Sequence, residues 1–272
     1  MSHPQDFDDN GSLKKIVPHI FRRPFISVHP SESLVHFAAF LAIGPQLYVD
    51  GIIVIDEKKP VGRIGSKHIL KAIMGSHRLD WLTKKAVDLM DKSNGIEADE
   101  QLDAVLDVFR ETRFAFLPVT LDGSLVAALS IRDLLPWMVS SVSGRVSSIS
   151  SNVISIDVDS GIQDALNIML DNDVRNLIVT DGNKRRVIND RKILEFLLSH
   201  KGREIIETSN ISAGFSIKVR ALDMLNPAGI DASMPMSDAA KLLMDIANPC
   251  LLLNSSDSIV TPWDIVMKGY SR

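Results

Sequence analysis

Apolar and polar positions alternate along this 272-residue chain in a pattern that recurs four times. Each copy begins with a short β-like segment and polar helix-start residues, which an amphipathic helix follows. A nearly continuous apolar strand comes next, and its composition is typical of a strand that is covered on both faces. A turn, a second strand and a closing helix complete the copy. The pattern therefore predicts a β-α-β-β-α repeat of about 55–60 residues.

The second copy shows the helical spacing clearly, with Leu102, Val105, Leu106 and Phe109 on one face. The central strands are apolar runs at 52–55, 116–119, 177–179 and 250–253. A single unit of this size buries too little apolar surface to be stable alone, so we expect two units to pack sheet against sheet over a shared core. The sequence predicts an α/β fold of four tandem repeats.

A short polar signature follows the second strand of each repeat. In repeats 2 and 4 it is a hydroxyl and a carboxylate three residues apart, Ser130 with Asp133 and Thr261 with Asp264. Repeats 1 and 3 keep the apolar frame, but a histidine stands at position 68 and a lysine at position 192 in place of the carboxylate. An intact signature in alternate repeats predicts paired repeats that share a site, with at most two good sites per chain.

Composition and charge narrow the classes of function. Hydrophobic residues make up 45% and charged residues 24% of the chain, and the net charge is −4 with basic residues spread along the sequence. This distribution does not predict nucleic-acid binding. No apolar run is long enough to cross a membrane, and the acidic, polar segment 1–10 is the reverse of a signal peptide, so we expect a cytoplasmic protein. The single cysteine, Cys250, is interpreted as a buried thiol.

No pattern of catalytic residues stands out. The seven histidines do not fall at metal-ligand spacing, and the chain has no Walker-type phosphate loop, Rossmann fingerprint or nucleophile elbow. We therefore predict that the protein is not an enzyme, binds no metal and requires no cofactor.

The order of elements resembles the CBS domain, named for cystathionine β-synthase, which occurs in tandem pairs called Bateman modules. The resemblance covers residues 16–267 and includes the Leu117-Pro118-Val119 strand and the hydroxyl-x-x-Asp signature. It implies an N-terminal lead-in at 1–22, a first module at 23–140 with repeats 1 and 2, and a second module at 141–272 with repeats 3 and 4. Serine-rich residues 140–151 are interpreted as a solvated linker between the modules.

The intact signatures are suited to holding a ribose. Ser130 and Thr261 are natural helix N-caps, beside backbone N–H groups and a helix dipole that favour anions. Asp133 and Asp264 lie one helical turn further on, and an ionised carboxylate can accept hydrogen bonds from both ribose hydroxyls. We call each pair a ribose clamp.

The resemblance implies further ligand contacts. It places the adenine ring against the first strand of the same repeat, beside backbone groups that can bond the base edge. For the ribose and phosphates it implies contacts from the residue before the signature aspartate of repeats 2 and 4, and from a residue before the central strand of repeat 3. The residues implied are Gly95, Ile96, Gly229 and Ile230 for the base, and Arg132, Trp263 and Arg175 for the ribose and phosphates.

The prediction is a regulatory protein that senses energy state or a metabolite by binding AMP, ADP or ATP, with S-adenosylmethionine as a further candidate. Ligand binding is expected to change the conformation presented to an unknown protein partner, and the resemblance implies a homodimer. One alternative is a ligand-independent scaffold for dimerisation and docking. Another is an enzyme whose site forms only at an oligomer interface.

Overall fold

The computed structural model describes residues 11–42, 50–75, 80–209 and 216–270. The acidic segment 1–10 lies outside these ranges. The predicted fold is confirmed: four β-α-β-β-α repeats follow one another along the chain. Each repeat forms a small sheet in which the first strand runs parallel to the central strand and the next strand pairs antiparallel.

The first two repeats have closely similar elements. Repeat 1 consists of β1 (Ser27–Val28), α2 (Leu34–Ala42), β2 (Ile52–Asp56), β3 (Lys59–Ile64) and α3 (Ser66–Met74). Repeat 2 consists of β5 (Ile96–Glu97), α5 (Leu102–Thr112), β6 (Phe116–Leu121), β7 (Ser124–Ser130) and α6 (Leu135–Ser141). The hairpin between β6 and β7 turns at Asp122 and Gly123, with φ of 53° and 73°, the left-handed conformation that a tight hairpin of this kind requires.

The last two repeats follow the same plan. Repeat 3 consists of β9 (Ser155–Asp157), α7 (Ile162–Asp171), β10 (Asn176–Asp181), β11 (Lys184–Asn189) and α8 (Asp190–Leu198), and α9 (His200–Ser209) follows it. Repeat 4 consists of β12 (Ala228–Ile230), α10 (Met236–Met244), β13 (Leu251–Leu253), β14 (Ser258–Val260) and α11 (Pro262–Gly269). Among the helices of the described ranges, none has the length and hydropathy needed to cross a membrane.

The segment before each repeat, its lead-in, packs on the other repeat of the same pair. α1 (Leu13–Ile16) lies on repeat 2, and α4 (Ala86–Leu89) lies on repeat 1. β4 (Asp91–Lys92) adds a strand to the sheet of repeat 1, and β8 (Ser151–Asn152) adds one to the sheet of repeat 4. Leu225, before repeat 4, bridges to β11 of repeat 3. These exchanges cover sheet edges and interlock repeat 1 with repeat 2 and repeat 3 with repeat 4.

The serine-rich stretch is more ordered than a solvated linker. α6 extends to Ser141, Val146 is buried against repeat 4, and β8 begins at Ser151. Most side chains of residues 140–149 are exposed, as a linker predicts, but Val146 and Ile149 are buried and backbone hydrogen bonds hold the stretch to repeat 4.

Most of the buried apolar surface lies between helices of alternate repeats. One large cluster joins repeats 1 and 3, and a second joins repeats 2 and 4, where α6 packs on α10. Sheet-to-sheet packing of consecutive repeats gives only a small cluster between repeats 3 and 4: Ile178, Val187, Cys250, Leu252 and Ile259. The expectation that paired sheets supply the shared core is therefore only partly correct, since the apolar helix faces need the other pair to cover them.

Two neighbouring leucines of α10 test this arrangement. Leu243 is fully buried between repeats 2 and 4, whereas Leu242 is 37% exposed. Leu243→Ala is expected to lower the free energy of unfolding by about 2–5 kcal/mol, because it leaves a cavity in the shared core. Leu242→Ala serves as the matched control and is expected to cost about 1 kcal/mol. Urea unfolding of both variants makes the measurement, and equal losses would contradict the packing described here.

Candidate functional site

The four signatures converge on one cavity where the repeats meet. Its volume is about 1360 Å³, and every repeat contributes lining residues, among them Ser66, Ser130, Arg191 and Thr261. Each signature stands where an antiparallel strand gives way to a helix, and those ends of the sheets point inward in all four repeats. The repeat frame therefore brings together polar groups that are far apart in sequence.

The cavity lining is rich in charge and has an excess of cations. Nine lysines and arginines line it: Arg22, Arg23, Lys67, Lys71, Arg113, Arg132, Arg175, Arg191 and Lys268. Six aspartates accompany them: Asp50, Asp91, Asp133, Asp173, Asp190 and Asp264. The chain as a whole carries a net charge of −4, so this local excess of positive charge favours an anionic ligand.

The ribose clamp of repeat 2 has the predicted cap geometry. The Ser130 hydroxyl accepts a hydrogen bond from the Arg132 backbone N–H at 3.2 Å, and Asp133 Oδ2 accepts one from the Ser130 N–H at 2.7 Å. Arg23, from the lead-in of repeat 1, donates to both carboxylate oxygens of Asp133 at 2.6 and 2.7 Å. The carboxylate is therefore held by the chain's own guanidinium.

The ribose clamp of repeat 4 is built in the same way but has different partners. The Thr261 N–H and hydroxyl donate to Asp264 Oδ2 at 2.9 and 2.7 Å. The other oxygen, Oδ1, accepts from the Ser151 hydroxyl at 2.7 Å and pairs with Lys268 at 2.6 Å. Ser151 belongs to the lead-in of repeat 3, so this clamp also joins two repeats.

The signature of repeat 1 keeps the cap with different chemistry. His68 Nδ1 accepts a hydrogen bond from the Gly65 N–H at 3.0 Å, as the aspartates do in repeats 2 and 4. Its Nε2 lies 3.4 Å from Asp91, and its ring stacks on Phe114 with centroids 5.3 Å apart. Burial lowers the pKa of His68 below 6.5 and outweighs the Asp91 carboxylate, so the ring is held neutral near pH 7.

In the signature of repeat 3, the fourth residue, Lys192, points away from the cavity. Lys192 pairs with Asp223 at 2.8 Å and with Glu195 at 3.0 Å, and it is not among the lining residues. Asn189 caps the helix instead, because its side-chain oxygen accepts from the Lys192 N–H at 2.9 Å. The neighbouring Arg191 points inward in its place.

A buried charge network lies at the centre of the cavity. Asp50 of repeat 1 accepts hydrogen bonds from the Arg191 guanidinium and the Ser130 hydroxyl, and so joins three repeats. Asp190 accepts from the Ser66 hydroxyl and from Arg175 Nε, the latter at 3.0 Å. Burial alone would raise the pKa of Asp50, but Arg191 and Arg175 hold it below the ordinary value. Both acids therefore stay ionised.

Arg191 has spare hydrogen-bonding capacity. Its Nε is buried and has no hydrogen-bond partner among the residues that the structure describes. Arg191 lines the cavity and its side chain is only 11% exposed. A buried donor without a partner costs free energy, which an anionic ligand could recover.

The predicted phosphate and ribose contacts occupy varied environments. Arg175 lines the cavity beside Asp190, as described above. Arg132 also lines it, but its guanidinium donates to three carbonyl groups at the end of α10, those of Leu243, Asp245 and Asn248. Trp263 lines the cavity 5.9 Å from the guanidinium of Arg113.

The predicted base contacts lie elsewhere. Gly95, Ile96, Gly229 and Ile230 are not among the residues that line the cavity. The φ of Gly95 is +83°, which accounts for the glycine without a ligand. The lining beside the clamps comes instead from the lead-in segments of the partner repeats, which pair with the strands before the signatures.

Sequence reasoning missed five of the charged or polar residues at this site: Arg23, Asp50, Ser151, Asp190 and Arg191. Only Arg191 had a visible signal, since it occupies the same signature position as Lys67 and Arg132. The described ranges contain no group of three or more His, Cys, Asp or Glu side chains placed to hold a metal ion.

The fold and the cavity define a class of α/β repeat proteins whose polar signatures face a common centre. The family model of the CBS domain matches residues 17–75 and 146–199, which include repeats 1 and 3. The chain therefore contains CBS-domain sequence at these residues, and the resemblance inferred from the sequence is confirmed.

Solved structures agree with this assignment at the level of the fold. A protein from Methanocaldococcus jannaschii, described as a candidate archaeal homologue of g-AMPK, is 14% identical, with a TM-score of 0.80. The match covers 94% of this chain and 99% of that one. An uncharacterised conserved protein from Pyrococcus horikoshii is 15% identical, with a TM-score of 0.52 over 80% of this chain and 89% of that one.

A CBS domain protein from Pyrobaculum aerophilum, solved in complex with AMP, is 24% identical over 43% of this chain and 88% of that one. Its TM-score is 0.38, which does not support a comparison of sites. Among the curated proteins, none matches this sequence.

The lowered pKa of His68 predicts a pH dependence of stability. The folded state favours the neutral ring, so the unfolded chain binds a proton more readily below pH 6.5. The contribution of His68 is thus fully present above that pH and is lost as the pH falls below it. We expect the melting temperature to drop more between about pH 7.5 and 5.5 in the native protein than in His68→Asn, whose amide oxygen can replace the Nδ1 acceptor. Parallel pH curves for the two proteins would contradict this account.

Proposed function

We propose that this protein is a regulatory protein that binds an adenosine nucleotide, AMP, ADP or ATP, in the cavity between its four repeats. The observation that carries the proposal is the cavity itself. Both hydroxyl–carboxylate signatures open into it, and cations outnumber acids along its lining. A nucleotide needs both features, since its ribose donates hydrogen bonds to a carboxylate and its phosphates require cations.

The phosphates would lie near the charge network. Arg175 and Arg191 come from repeat 3, and Arg191 offers the Nε that has no protein partner in the described residues. A guanidinium can bind a phosphate through two parallel hydrogen bonds. The phosphate would thereby bind the same two guanidinium groups that the carboxylates of Asp50 and Asp190 already contact.

The proposed regulation depends on contacts between one ligand and several repeats. Residues of all four repeats line the cavity, so a bound nucleotide favours the packing of the repeats that fits it. The altered arrangement would be presented to a protein partner or to a second copy of the chain. We propose that residues 23–140 and 141–272 act as the two modules, since lead-ins are exchanged between repeats 1 and 2 and between repeats 3 and 4; the lead-in helix of repeat 1, α1, precedes residue 23.

A ligand-independent scaffold is the second candidate, and one observation favours it. Both clamp carboxylates already have protein partners, Arg23 for Asp133 and Lys268 with Ser151 for Asp264. The fold does not require a ligand to neutralise these charges, so docking of a partner could proceed without one.

Calorimetric titration with AMP, ADP, ATP and S-adenosylmethionine separates the two candidates. We expect heat of binding from at least one adenine nucleotide, and its loss in the double variant Asp133→Ala with Asp264→Ala, because both ribose acceptors are removed. The matched control is Asp56→Ala with Asp181→Ala, which removes two exposed carboxylates outside the cavity lining. It is expected to bind as the native protein does.

Two results would overturn the proposal: no heat with any of the four ligands, or undiminished binding in the double clamp variant. A melting temperature that no nucleotide changes would support the scaffold instead, because a ligand that binds only the folded state must stabilise it.

A further inference from the structure

The sheet registers place the residues around the two clamps in matching positions. In repeat 1, Ser27 pairs with Ile53, and in repeat 3, Ser155 pairs with Ile178. The residue four before Ser27 therefore corresponds to the residue four before Ser155, and the residue three before Ile53 corresponds to the residue three before Ile178. The first position holds Arg23 beside the repeat 2 clamp and Ser151 beside the repeat 4 clamp, and the second holds Asp50 and Arg175, respectively.

The first position lies against the clamp carboxylate in both cases. Arg23 covers Asp133 with a bidentate pair and also donates to the Ala128 carbonyl at 3.2 Å. Its side chain is 19% exposed, so it is held on most sides. Ser151 gives Asp264 a single hydroxyl hydrogen bond. The remaining partner of Asp264 is Lys268, which is 44% exposed and also donates to the Ile149 carbonyl at 3.1 Å and to the Ser151 hydroxyl at 2.6 Å.

The second position faces the cationic centre and carries opposite charge in the two cases. Asp50 beside the repeat 2 clamp is an acid that bonds to Arg191 and to the clamp's own Ser130. Arg175, which holds the corresponding position in repeat 3, is a cation that pairs with Asp190. The ribose of a bound nucleotide donates hydroxyl hydrogen bonds to the clamp carboxylate, and its phosphate brings negative charge to the arginines of the cavity. Beside the repeat 2 clamp, the carboxylate has a bidentate guanidinium and Asp50 supplies an anion to Arg191. On the repeat 4 side, the carboxylate has the more exposed ammonium of Lys268, and Arg175 pairs with Asp190.

On the side of the lead-in, the space beside the repeat 2 clamp is filled, although Ser130 and Asp133 also line the large cavity. The gap between the lead-in residues 23–26 and Ser130 is about 10 Å³, room for about one water molecule. The Phe116 ring packs directly on Gly51 there, so closely that a Cβ at Gly51 would lie 1.8 Å from it. No base ring fits in this gap.

We infer that one nucleotide binds per chain, at the Thr261/Asp264 clamp beside Ser151 and Arg175, while Arg23 and Asp50 fill the corresponding positions of repeat 2 as the chain's own cation and anion. This inference rests on the proposed function. It reduces the two clamps predicted from the sequence to one ligand site and one internal contact.

Transfer of the Arg23 chemistry to repeat 4 tests the inference. Ser151→Arg places a guanidinium where it can pair with Asp264, and we expect the affinity for the nucleotide that binds the native protein to fall at least about tenfold. The matched control is Ser147→Arg, which adds the same charge at an exposed position outside the cavity lining. It is expected to retain the native affinity, and the native protein is expected to bind one nucleotide per chain.

Binding of two nucleotides per native chain, or native affinity in a folded Ser151→Arg variant, would overturn the inference. If no adenine nucleotide binds the native protein, the proposed function fails, and a double-mutant cycle without ligand decides whether repeat 2 is closed. The cycle compares the melting temperatures of Arg23→Ala, Asp133→Ala and the double variant. Strong coupling supports the internal contact, and additive effects reject it even if the proposed function has failed.

Discussion

The contact between Arg191 and Asp50 is the interaction on which the centre of the molecule depends. It joins repeat 3 to repeat 1, and the Ser130 hydroxyl bonded to the same carboxylate adds repeat 2. The Arg191 and Asp50 side chains are only 11% and 22% exposed, and charges with so little access to water are costly unless each has an opposite partner. Because the partners come from different repeats, the network is complete only when the repeats are correctly placed around the cavity.

The same network is where the proposed nucleotide would act. Cations and acids alternate along it, and Arg191 retains a donor with no partner in the described residues. An incoming anion would add to the acids that the protein holds and compete with them for the guanidinium groups. The charged pairs of the network can exchange partners when an anion binds, whereas the apolar clusters around the network are held by close packing.

The repeat frame could be predicted from the sequence because it depends on local patterns. Each strand, turn and amphipathic helix has a sequence pattern that can be recognised within about ten residues. The pattern of any one copy could be assigned in more than one way, but four aligned copies allow only one assignment. The clamp residues Ser130, Asp133, Thr261 and Asp264 could be found for the same reason, as caps at strand-to-helix junctions.

The partners of the clamps could not be predicted in this way. Arg23 lies 110 residues from Asp133, and Ser151 lies 113 residues from Asp264. Neither belongs to a motif, and Ser151 stood in a polar stretch that resembled a linker. Their roles are set by the exchange of lead-in segments between repeats, which only the three-dimensional structure reveals. The large cores between alternate repeats were hidden likewise, since an amphipathic helix does not indicate which other helix covers it.

The exchanged lead-ins have a consequence for how such a chain can diverge. The fourth signature residue faces a residue of another repeat's lead-in in all four repeats: Asp133 with Arg23, Asp264 with Ser151, His68 with Asp91 and Lys192 with Asp223. In each case the two side chains are chemical complements. A signature therefore cannot drift alone: a change that reverses its polarity leaves a distant residue mismatched until that residue changes as well. The loss of a ligand site in one repeat is then recorded twice in the sequence, at positions that no local comparison of repeats would connect.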